Sequence, residues 1–218
     1  MSQPIDPIAL SALLSSRLCH DLVNPVGAIS SGLEVLDDPG MDADMKDTAS
    51  ALVHSSVRKS LALLAFARLA YGAAGSCGAE IKLEDARDAL VKVYAHFKTD
   101  LEWRMGSGPA AKERVKTLMI LVHSALDCAP RGGRVTVTGG AGDFEIIATG
   151  PKLFLNDEFL AALRGETEDL KPKFAPAYIA GTVARAGGGG ISAERYEDRV
   201  VLSGTFGASE ERAALTSG

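Results

Sequence analysis

Arg17-Leu-Cys-His20-Asp21-Leu-Val-Asn24-Pro25 is the stretch on which the fold turns. Stepped at about 100° per residue, Leu18, Leu22, Val26, Ile29, Leu33 and Leu36 fall in one stripe about 80° wide, the mark of a helix that packs on one face. His20 lies on the opposite side, and Arg17, Asn24, Gly27 and Ser31 project with it. The imidazole therefore stands on a polar face whose next turns carry little side chain. The helical pattern covers about residues 8–36 and a second one covers about 43–71. Asp37-Asp38-Pro39-Gly40 between them has a turn composition, so the two helices form an antiparallel hairpin whose first face packs on the second helix.

The second helix is apolar on two sides. Val53, Val57, Leu61 and Leu64 line one face, and Leu52, Leu63, Phe66 and Ala70 line nearly the opposite one. A lone hairpin leaves one row wet, whereas two hairpins paired into a dimeric four-helix bundle bury both. Leu63→Glu or Phe66→Glu is then expected to break the dimer. The alternative is that the second row packs on the rest of the chain.

Gly72-Ala-Ala-Gly75-Ser-Cys77-Gly78 is the clearest break, which divides the chain into domains 1–74 and 75–218. Beyond it the periods alternate. A helix (Leu83 to Phe97), a strand with Leu101, Trp103 and Met105 on one face, and a long helix (Lys112 to Cys128) come first. Strands at Arg134–Thr138 and Phe144–Thr149, helices near 156–164 and 175–186, and a hairpin of Ile191–Tyr196 with Val200–Phe206 follow. The tail after Ala208 is expected to fray. The fold class is α+β: a helical hairpin, then an α/β sandwich with helices over one face of a mixed sheet.

Composition narrows the function. The 218 residues are 46% hydrophobic, enough for a sizeable core, and the net charge of −5 without a basic run speaks against a nucleic-acid ligand. Three cysteines with no CxxC argue against a disulfide framework and structural zinc. No apolar run reaches a membrane span and the N-terminus lacks a signal pattern, so a cytoplasmic protein is expected.

A nucleophilic imidazole needs its free base, access, and a neighbour that fixes its tautomer. Asp21 and Asn24 can serve as such neighbours, and Pro25 withholds the N–H that the Asp21 carbonyl would accept. Composition alone favours an ordinary surface histidine. The string around it resembles the H-box of sensor histidine kinases, in which an acidic residue follows the phosphorylated histidine and Asn-Pro lies four positions on: His20, Asp21, Asn24 and Pro25 match.

The likeness continues in Lys116 to Val137, similar to the helix, turn and strand of the kinase N-box, but the nucleotide-holding residues are missing. Ile120 and Ser124 stand where that pattern has magnesium-binding asparagines, and Ala148 and Lys152 replace the adenine-box aspartate and a glycine. Gly187-Gly-Gly-Gly190 reads as a helix C-cap and hairpin entry.

From Leu13 to about Phe206 the chain resembles the ChpT-type histidine phosphotransferases of alphaproteobacteria, a hairpin joined to a degenerate kinase ATP-binding fold. The resemblance implies a homodimer that accepts phosphate on His20 from the receiver domain of a hybrid histidine kinase and passes it to response-regulator receivers. Asp21 and Asn24 would assist, and Arg17, Gly27 and Ser31 would meet the partner. No cofactor is expected on this chain, with Mg²⁺ supplied by the receiver, and neither nucleic acid nor membrane is a partner. The alternatives are a non-catalytic dimeric adaptor that binds receivers and an active kinase fragment, the latter opposed by the four substitutions. Metal hydrolysis is weaker still: His54, His96 and His123 show no ligand spacing and are expected on the surface or half-buried.

Overall fold

The computed structural model describes residues 5–72 and 79–207. Two long antiparallel helices open the chain, α1 (Pro7–Asp37) and α2 (Ala43–Ala70). Their first turns are capped by carboxylates: Asp6 accepts from the Ala9 N–H and Asp42 from the Met45 N–H, satisfying donors that no helical carbonyl reaches. The Asp38 carboxylate accepts the Gly40 N–H at 2.7 Å and turns the chain between them.

The two helices come closest at Gly32. A Cβ there would lie 2.5 Å from Val53 Cγ2 and 3.2 Å from the Ala49 carbonyl oxygen. This approach sets the packed face of α1, which is centred on Pro25 and Gly32, its buried residues. The stripe expected from the sequence is therefore rotated: Val26 and Leu33 stay 53% and 46% exposed, because the contact runs along the small residues and turns the larger ones aside.

The remaining elements are β1 (Glu80–Lys82), α3 (Leu83–Tyr94), β2 (Thr99–Met105), β3 (Pro109–Ala111) and α4 (Lys112–Ser124), which tightens into a 3₁₀ turn at Ala125–Cys128. β4 (Gly133–Gly139), β5 (Asp143–Thr149), α5 (Asp157–Arg164), a 3₁₀ turn at Pro172–Phe174, α6 (Ala175–Ala186), β6 (Gly190–Arg195) and β7 (Val200–Thr205) complete the chain. The main sheet has the order β2-β4-β5-β7-β6, with β2 and β4 parallel and every other pair antiparallel. Val135, Val137, Ile146, Ala148, Val200 and Leu202 point into the core, and alternate residues such as Glu145 face outward, as a sheet covered on one side requires. β1 and β3 form a separate antiparallel ribbon that three residues of pattern were too few to announce.

α4 has no wet side. Val115, Leu118, Met119, Leu121 and Val122 are fully buried, because the helix lies between the sheet and α2, α3 and α6. That position decides the fate of α2. Leu63, Phe66 and Ala70 belong to the same apolar cluster as α4 and the sheet, so this row packs within the chain. The expected dimer seam at Leu63 and Phe66 is thereby corrected. Leu52 of the same row is 45% exposed, and the row left uncovered is the opposite one: Val57, Leu61 and Leu64 are 38%, 61% and 50% exposed.

α6 ends at Gly187, and Gly188 takes φ +71°, a left-handed conformation suited to glycine, before the chain enters β6. Gly187–Gly190 is thus a helix cap and hairpin entry, as its composition suggested. The expected domain boundary, apart from Gly72, lies outside the described residues, as do Cys77 and the tail from Ala208. Among the described residues no helix is long and apolar enough to cross a membrane.

Candidate functional site

His20 stands in mid-α1 with its side chain 79% exposed. Asp21 beside it is far less open and divides its two oxygens. Oδ1 lies 3.5 Å from His20 Nδ1, and Oδ2 accepts a hydrogen bond from Arg17 Nε at 2.8 Å. Arg17, also largely covered, donates through Nη1 to the Lys173 carbonyl at 3.3 Å. One guanidinium therefore ties α1 to the segment before α6 and holds Asp21 from behind. A carboxylate oxygen beside Nδ1 favours the neutral tautomer with its proton there, which leaves the lone pair on Nε2.

The face opens into a cleft of about 670 Å³ between the hairpin and the α/β sandwich. Arg17, His20, Asp21 and Asn24 line it from α1, and Lys59 and Leu63 from α2. The sandwich contributes Phe97 from the turn after α3, Asp127 from the turn after α4, and Lys171 and Lys173. Lys173 Nζ lies 3.3 Å from Asp127 Oδ2, Lys171 is paired with Glu158, and Lys59 Nζ sits 5.1 Å above the Phe97 ring. Sequence reasoning named none of these basic residues, since they sit on separate elements with no periodic signal linking them to His20.

The other expected site residues are placed differently. Gly27 is exposed, with nothing within 4 Å of a Cβ, and does not line the cleft. Ser31 lines a second groove near the hairpin turn, together with Met45 and Leu52. Arg17, expected to meet a partner, has its guanidinium engaged inside the chain.

His123 forms the floor of the cleft. Its ring stacks on Phe66, with centroids 4.5 Å apart at 28°, and it is buried. The expected surface or half-buried placement is corrected here, because α2 closes over α4 at this point. Burial, with a smaller contribution from the Arg17 charge, pulls the His123 pKa down to about 4, so the ring is neutral. Tyr71 meets Phe66 edge-on, and burial pushes its phenol well above the ordinary tyrosine range.

The four positions that the sequence set against the kinase nucleotide boxes differ in setting: Ile120 and Ala148 are buried, Ser124 is half-buried and Lys152 is exposed. Ile120 is 2% exposed in the core, and Ser124 Oγ donates to the Ile120 carbonyl at 2.9 Å. Ala148 is buried in β5 between Val135 and Val200, and the Lys152 ammonium rests 4.8 Å from the Phe154 ring centre. None of these side chains offers a carboxylate or amide to magnesium or adenine.

Residues 83–199 match the family described as "Histidine phosphotransferase C-terminal domain". Over 176 residues the chain is 36% identical to Protein phosphotransferase ChpT of Brucella abortus (strain 2308), an alignment that covers 80% of this chain and 77% of that one. Its fold matches a solved structure described as a bacterial phosphotransferase with a TM-score of 0.80 at 32% identity, covering 93% of this chain and 99% of the other. With the helical hairpin, the α/β sandwich and a sequence match across most of its length, the chain belongs to the histidine phosphotransferase family.

Proposed function

We propose that His20 carries the phosphoryl group in a phosphorelay, accepting it from the receiver domain of a hybrid histidine kinase and passing it to response-regulator receivers. The observation that carries this reading is the exposed imidazole at the mouth of a cleft, with Asp21 clamped beside Nδ1 by Arg17. In the accepting step the Nε2 lone pair attacks phosphorus, the bond to the receiver's aspartyl oxygen breaks, and the carboxylate leaves with the electron pair. The passing step is the reverse, with a second receiver's carboxylate as the nucleophile. Asp21 balances the positive charge that the ring gains as the N–P bond forms, and Asn24, one turn on, is placed to hydrogen-bond a phosphoryl oxygen.

Mg²⁺ would be held by the receiver, where it would supply charge neutralisation for the phosphoryl oxygens. No nucleotide or cofactor is expected on this chain, a reading supported by the burial of Ile120 and Ala148 and by the bond of Ser124 Oγ to its own helix. Calorimetry with MgATP is expected to give no binding heat.

The working form is a homodimer. Val26, Leu33, Val57, Leu61 and Leu64 leave an apolar face on the hairpin, and a second hairpin against it completes a four-helix bundle. Free Cys19 and Cys128 suit the cytoplasm as its place of work.

The experiment mixes phosphorylated receiver domains with the wild type and with His20→Ala and follows acid-labile label. Label on the wild type and none on the variant is expected; equal labelling of both removes His20 as the acceptor.

A further inference from the structure

Beside the His20 cleft a second groove of about 600 Å³ opens between α2 and the turn that joins α3 to β2. Lys59, His96 and Lys98 line it, and no Asp or Glu does. Arg58 adjoins them on α2. Burial first, then the charges of Lys59 and Arg58, holds the His96 imidazole below the ordinary histidine range. Arg58, Lys59 and Lys98 form no ion pair among the described residues, whereas Arg17, Lys171 and Lys173 in the cleft each have a carboxylate partner. On a chain of net charge −5 this is a local island of uncompensated positive charge.

The groove is continuous with the site. Lys59, Phe97 and Leu126 form walls of both, and Phe97 is 41% exposed between them. We propose that this basic groove docks an acidic face of the same receiver domain whose aspartate meets His20, an inference that rests on the phosphorelay reading above. Unpaired cations around an exposed aromatic ring give a partner's carboxylates opposite charges to meet and an apolar anchor. Such a patch steers encounter and sets affinity, while the phosphoryl step stays with His20. A protein surface fits better than a polyanion, because the acidic remainder of the chain repels a long negative chain.

The test measures the affinity of unphosphorylated receiver domains by fluorescence anisotropy, so that it does not depend on chemistry at His20. Lys98→Glu and Arg58→Glu are compared with the wild type and with Lys82→Glu, at the other end of α3. The dissociation constant is expected to rise about tenfold for Lys98→Glu and Arg58→Glu, with a weaker salt dependence, and to stay unchanged for Lys82→Glu. In single-turnover transfer the same variants need more receiver for half-maximal rate while the saturating rate stays within about twofold. Unchanged affinity in both variants overturns the proposal, as does an equal loss in Lys82→Glu. So does wild-type binding of double-stranded RNA or anionic vesicles that these variants abolish while receiver affinity is kept. His20→Ala separates the two readings: if it retains acid-labile label, the acceptor assignment fails, while its receiver affinity still judges the groove.

Discussion

Asp21 is a small device built from one carboxylate. One oxygen is committed to Arg17 and the other faces the His20 ring, so its position is set before any partner arrives. Arg17→Ala is expected to release Asp21 and slow phosphoryl acceptance about tenfold at unchanged receiver affinity, and Arg17→Ala combined with Asp21→Asn to be little slower than either alone. Single-turnover kinetics on the three variants checks this; fully additive losses would mean that the two residues act separately. His123 makes a second prediction. In the folded chain its pKa is about 4, and on unfolding it returns to the ordinary histidine range. Below about pH 6.5 the unfolded chain binds a proton that the folded chain refuses, so stability falls as pH falls, until the folded ring also protonates near pH 4. This group alone removes about 2 kcal/mol between roughly pH 7.5 and pH 5. Urea unfolding across that range should show a shallower pH dependence in His123→Leu than in the wild type.

At the level of elements the hairpin depends on a close approach that only glycine permits. A methyl group at position 32 meets a stiff β-branched side chain, Val53, and a backbone carbonyl at Ala49, which cannot both retreat. Gly32→Ala is therefore expected to spread α1 from α2 and cost about 1–3 kcal/mol. Adding Val53→Ala removes the nearer contact and should restore part of the loss in thermal melts. If the single substitution leaves the melting temperature unchanged, α1 and α2 are not held at this point. α4 shows the opposite arrangement, with large apolar side chains buried on every side from Leu118 to Val122, and the turn after it places Asp127 against Lys173 in the cleft.

For the whole molecule, the decisive fact is how the two rows of α2 are shared. Leu61→Glu with Leu64→Glu is expected to halve the mass in light scattering with the circular dichroism spectrum kept, because those residues face outward on a single chain. Leu63→Glu or Phe66→Glu is expected to destabilise the chain itself, since an unpaired carboxylate would enter the core shared by α2, α4 and the sheet. A wild type that sediments as a monomer at micromolar concentration would exclude the bundle.

Element order apart from β1 and β3, the hairpin, and the outward face of His20 with Asn24 were legible in the sequence, because each rests on periodicity and spacing within a few helical turns. Ile120, Ser124, Ala148 and Lys152 took their meaning only from the resemblance to the kinase nucleotide boxes, since no periodicity or spacing within the chain marks them. The two rows of α2 could not be told apart, since both are apolar at helical spacing, and only the docking of α3 and α4 chose the one to bury. The stripe on α1 was misplaced because the sequence pattern weighs large apolar side chains, whereas the contact was made by the absence of a side chain at Gly32. Lys59, Phe97, Asp127 and Lys173 join His20 from distant parts of the chain, and Arg17 reaches the Lys173 carbonyl across 156 positions. Local propensity determined the elements and the residues they display; long-range packing alone decided which of those residues face one another.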